Sequence, residues 1–79
     1  MSKEQLRQIR REIQQLKEDL KGENALICYY SYRVSYLRFA NTPISLAQVQ
    51  LELGAAYMRA AILENKIEEK GKQLIRLVI

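Results

Sequence analysis

The strongest constraint on this chain is the spacing of its apolar residues, which recur at alternating steps of three and four along nearly its whole length. Leu6, Ile9, Ile13, Leu16, Leu20, Ile27, Tyr30, Val34 and Leu37 form one series, interrupted only by Glu23. Leu46, Val49, Leu53, Ala56, Ala60, Leu63, Ile67, Leu74 and Leu77 form a second, with Lys70 as its one polar position. A mean repeat of about 3.5 residues keeps every member on one stripe of an α-helix, the pattern of helices that pair along their length. Tyr30, Tyr32, Val34 and Tyr36 also alternate with Ser31, Arg33 and Ser35 in a strand-like way. A lone strand would have no partner here, and the helical phase runs through the same residues unbroken.

Local signals set the boundaries. Ser2 and Gln5 have the form of a capping box, with Met1 and Leu6 at the hydrophobic-staple positions. Gly22 falls inside the first series, but the seam keeps its register beyond it, so one continuous helix is expected over residues 2 to about 40. Asn41-Thr42-Pro43-Ile44 is the turn and holds the only proline, which drives the preceding residue out of the helical region. Ser45 and Gln48 repeat the capping box, with Ile44 and Val49 as staple, predicting a second helix over about 45–79. A start at Thr42 with Pro43 in the first turn is the alternative. Lys70 beside Gly71 predicts a bend or fraying, with Lys72 to Ile79 less regular.

The fold expected is all-α: one domain spanning residues 1–79, an antiparallel hairpin of two long coiled-coil-like helices. Folding about the turn sets residue i opposite roughly residue 85 − i, with Tyr29 and Tyr30 facing Ala55 and Ala56, Leu20 facing Asn65 and Leu16 facing Glu69. At about 1.5 Å per residue the hairpin is roughly 55–60 Å long.

Two helices cannot enclose a core. A chain of 79 residues is also short enough to need a disulfide, a metal or self-association. Cys28 is the only cysteine and there is no histidine, so association is the route left open. The sequence offers a surface for it. Tyr29, Tyr32, Tyr36 and Phe39 form a second stripe on the first helix, and Leu51, Ala55, Met58 and Ile62 another on the second, both in the half nearest the turn. A face of that size is more than a solvated monomer leaves bare. A dimer closing a four-helix bundle is therefore expected, with these eight residues as the oligomer or partner interface.

Catalysis has little to work with. No imidazole exists to activate the Cys28 thiol, which reads as a small buried hydrophobe. Adjacent carboxylates such as Glu68 and Glu69 diverge around a helix and do not form an acid/base pair. No glycine-rich phosphate loop is present, and no catalytic residue, metal ligand or cofactor is expected. Gly54 and its neighbouring alanines resemble a small-residue membrane motif, but Glu52, Arg59 and Glu64 around them favour close packing in water.

The net charge of +4 is mild. Residues 1–23 carry six basic and five acidic groups, and residues 63–79 four and three, so no basic block stands out along the chain. Function is accordingly read as a small non-catalytic module for protein–protein interaction: an adaptor, inhibitor or assembly factor with a protein partner. In architecture alone it resembles small plasmid- and virus-encoded adaptor or regulatory proteins. The alternative is a nucleic-acid-binding hairpin dimer using Arg7, Arg10, Arg11, Lys17, Arg33 and Arg38 together with the tyrosine stripe. The free thiol and the charged N-terminal segment point to the cytoplasm and away from a membrane.

Overall fold

The computed structural model describes residues 3–78, which form two α-helices, α1 (Lys3–Ala40) and α2 (Pro43–Val78), lying antiparallel as a hairpin with principal-axis extents of 59 × 14 × 13 Å. Ser2 and Met1 of the first capping box and staple lie outside the described residues. Glu4 stands in the first turn of α1 and Arg38 in its last, each opposing the helix dipole with the favourable sign. α1 passes through Gly22 without a break, as the unbroken seam requires, and α2 stays helical past Gly71 to Val78, without the fraying expected there.

The turn is shorter than its sequence suggests, because both helix ends share it. Asn41 takes a left-handed conformation with φ 57°. The Asn41 N–H then donates to the Arg38 carbonyl at 3.4 Å, and the Thr42 N–H to the Leu37 carbonyl at 3.3 Å, the Schellman closure of a helix C-terminus. Thr42 serves the next helix at the same time. Its carbonyl accepts the Leu46 N–H at 2.9 Å, so Thr42 is the N-cap and Pro43 the first helical residue, where its missing N–H costs nothing. α2 thus starts at Pro43 and not at residue 45. Ser45 lies within the helix, and Ile44, 86% exposed, staples nothing.

The earlier start resets the register. The cluster beside the turn packs Val34, Leu37 and Val49 with Tyr30, Leu46 and Leu53. Farther out, Arg59 meets Glu23 and Lys70 meets Glu12 across the hairpin. These contacts place residue i across from roughly 83 − i, about two residues from the expected register. In the observed register Tyr30 packs by Leu53 rather than facing Ala55, and Leu20 and Leu16 lie level with Leu63 and Ile67 rather than Asn65 and Glu69. Seam therefore meets seam. Every residue of the two series, Glu23 and Lys70 included, is buried or half-buried; beyond them only Glu12, Ser31 and Gly71 among the described residues are.

Candidate interaction surface

With the seams turned inward, the rest of each helix is open. The eight stripe residues are all exposed, from 51% for Ile62 to 91% for Phe39 among the large ones. Stepping around each helix from its seam, Tyr29 and Tyr36 on α1 and Ala55 and Ile62 on α2 turn toward the same face of the hairpin. Tyr32, Phe39, Leu51 and Met58 point more nearly outward. The structure thus divides the eight between one shared face and the two outer flanks.

The shared face carries more than the stripes. Leu26 lies on it too, 37% exposed and three residues before Tyr29. A groove between the helices is lined there by Asp19, Gly22, Leu26, Arg59, Ile62 and Leu63. Gly22 opens its wall, since a Cβ at that position would meet nothing within 4 Å. Toward the turn, Tyr29 is held by its neighbours: its ring meets Tyr30 edge-on at 5.4 Å, and the Arg33 guanidinium stands 6.0 Å from its centroid. Tyr30 is anchored in the core cluster, so Tyr29 presents a positioned ring and not a loose one.

Among the described residues two ion pairs bridge the helices. Arg59 Nε–H is shared by both carboxylate oxygens of Glu23, 3.0 Å from each. Lys70 Nζ lies 2.6 Å from Glu12 Oε2. The Lys70 hydrogen bond, followed by one from Gln8, holds the Glu12 carboxyl below its ordinary value, and the Glu23 hydrogen bond raises the Arg59 guanidinium above its own. The two polar interruptions of the seams are thus the two places where charge crosses the hairpin. Their sequence signal was the interruption itself.

The six residues named as nucleic-acid contacts do not form one site. Arg7, Arg10 and Lys17 share one edge of α1, on the face away from the groove. Arg38 is on that face too, but about 40 Å from Arg10 along the axis at ~1.5 Å per residue. Arg11 is on the outer side, and Arg33 is on the groove face over Tyr29. Cys28 corrects the sequence reading: its side chain is exposed, because Ile27 takes the seam position beside it. No group of three or more His, Cys, Asp or Glu among the described residues is placed to hold a metal ion, and no described helix is long and apolar enough to cross a membrane.

Comparison of the chain with protein-family models, curated proteins and solved structures finds no match.

Proposed function

We propose that this hairpin is a non-catalytic interaction module that acts as a dimer, a second copy covering the groove face and its flanking apolar residues to complete a four-helix bundle. The observation that carries this reading is the row of large apolar side chains left in water on the turn-proximal half: Tyr29, Tyr32 and Tyr36 on α1 and Leu51, Met58 and Ile62 on α2. The surface area supports it. The chain exposes 6239 Å², against roughly 5,000 Å² for a folded monomer of its mass. The excess of about 1,200 Å² is larger than the ~800 Å² each partner contributes to a standard interface.

In this reading Tyr29, Tyr36, Ala55 and Ile62 form the centre of the contact. Tyr32, Phe39, Leu51 and Met58 line its margin or engage a protein partner of the dimer, for which exposed Tyr and Arg are suited anchors. The setting proposed is a reducing interior such as the cytoplasm, where an exposed Cys28 stays a thiol. Sedimentation equilibrium with far-UV circular dichroism tests the proposal. The expected result is a helical particle of twice the 9.3 kDa chain mass, and a shift to monomer when Tyr32 and Tyr36 are both replaced by Ala. A fully helical 9.3 kDa monomer at micromolar concentration overturns it.

A further inference from the structure

The charges of α1 are mixed in sign along the chain, but the helix sorts them by face. Lys3, Arg7, Arg10, Lys17 and Lys21 follow at steps of three, four and seven, which sets all five on one edge. The carboxylates of α1 lie elsewhere. Glu12 and Asp19 stand on the opposite edge, hydrogen-bonded by Gln8 and Gln15 at 3.2 and 3.0 Å. Glu23 is in the seam, and Glu4 and Glu18 are on the outer side. None of the five cations has an ion-pair partner among the described residues.

α2 brings Glu64 and Glu68 to this face near Lys17 and Lys21, Glu68 already paired with Lys72 at 3.3 Å. From Lys70 to Val78 it has no carboxylate. At the end of the hairpin away from the turn, residues 3–11 and 71–78 therefore carry six cations (Lys3, Arg7, Arg10, Arg11, Lys72 and Arg76) against Glu4 alone. That end holds a surplus of five in a chain whose total is +4.

We infer that this basic edge binds the phosphate backbone of duplex nucleic acid without reading its sequence. Like charges three and four residues apart repel on a lone helix, so the row is a liability until an anion meets it. At ~1.5 Å per residue it runs about 27 Å in a straight line, matching a partner whose charge is also regular and linear. Arginine and lysine are the side chains that neutralise phosphate. No aromatic ring stands in the row, so base stacking, the mark of single-strand binding, is not on offer. A bilayer surface fits less well. An interfacial helix sinks its apolar face into lipid, and the apolar face of α1 is covered by α2, leaving only Ile75 and Val78 among the described large apolar residues exposed nearby. The edge lies away from the groove face, so it stays open whether or not the hairpin dimerises.

Fluorescence anisotropy of the full chain with a labelled mixed-sequence DNA duplex tests this, alongside a single strand of the same length and vesicles rich in anionic lipid. The duplex is expected to bind at about 50 mM salt, with log affinity falling against log salt at a slope of about −4. Replacing Arg7 and Arg10 together by Gln weakens binding roughly tenfold and flattens the slope by about 2. Replacing Lys66 by Gln removes a charge from the other face and changes affinity less than about twofold. Circular dichroism confirms that each variant is helical. No duplex binding, a loss for Lys66→Gln equal to that of the Arg7 and Arg10 variant, or preference for the single strand or the vesicles overturns the inference.

Discussion

Arg59 Nε lies 3.0 Å from both carboxylate oxygens of Glu23, thirty-six residues away in sequence, at the only polar position in the seam of α1. A leucine there would extend the apolar stripe and bury more area. What Glu23 adds is a point that one register satisfies and a slipped one does not, the role single polar residues play in coiled-coil seams. Replacing Glu23 by Leu is expected to leave the thermal midpoint unchanged or higher while admitting a second register. Additional sets of amide peaks in the ¹H–¹⁵N spectrum report it. A single set, as in the parent, counts against register control by this pair.

Glu12 makes the acid limb of stability partly predictable. Its carboxyl is held below its ordinary value by the hydrogen bond from Lys70 and then that from Gln8. A carboxyl lowered in the folded state stabilises it above the ordinary value, and that contribution disappears as pH falls through the lowered one. Stability should therefore be flat near neutrality and fall below about pH 4.5. Glu12→Gln, which keeps the shape without the charge, should have a lower midpoint at pH 7 and a shallower loss toward pH 3. Thermal melts across that range measure both. The raised guanidinium of Arg59 acts only in strong alkali.

Asn41 is the one described non-glycine residue with positive φ, at 57°. Glycine adopts that conformation freely, asparagine tolerates it, and a residue with an unhelpful Cβ pays about 1–2 kcal/mol. Asn41→Gly should be neutral or slightly stabilising and Asn41→Ala destabilising by about 1 kcal/mol in urea melts. Equal midpoints for the two variants would show that the Schellman turn relaxes to another closure.

Gly22 and Gly54 sit inside helices with nothing within 4 Å of an added Cβ. Alanine at either should raise hairpin stability by about 0.5–1 kcal/mol through helix propensity and a less disordered unfolded chain. Chemical denaturation at a dilution where the protein is monomeric isolates this effect. A loss that grows with protein concentration at Gly22, on the groove face, would instead reveal a close approach by the second copy.

The two helices, their seams and the exposed stripes are legible in the sequence because each follows from a local period of three and four residues. Register is not local. It depends on how many residues the turn consumes, and the capping box at Ser45 competes with the Thr42–Pro43 pair two residues earlier. The pair prevails because Thr42 closes α1 with its N–H and opens α2 with its carbonyl. Cys28 is misread for a related reason: cysteine is usually buried, but its position beside Ile27, off the seam, decides here. The basic edge escapes a count along the chain, which mixes faces. Sorting residues 3–21 by helical position separates Lys17 from Asp19 and Arg10 from Glu12.

The cluster of Val34, Leu37 and Val49 lies beside the turn, three buried seam residues next to the shortest connection. Loop-closure entropy rises with the length of chain enclosed, so the first contacts to form are also among the best packed. On this ground folding is expected to start at the closed end like a zip, each seam pair shortening the loop for the next. The charged arm is then expected to close last and open first, meeting its surroundings while the rest of the hairpin is already assembled.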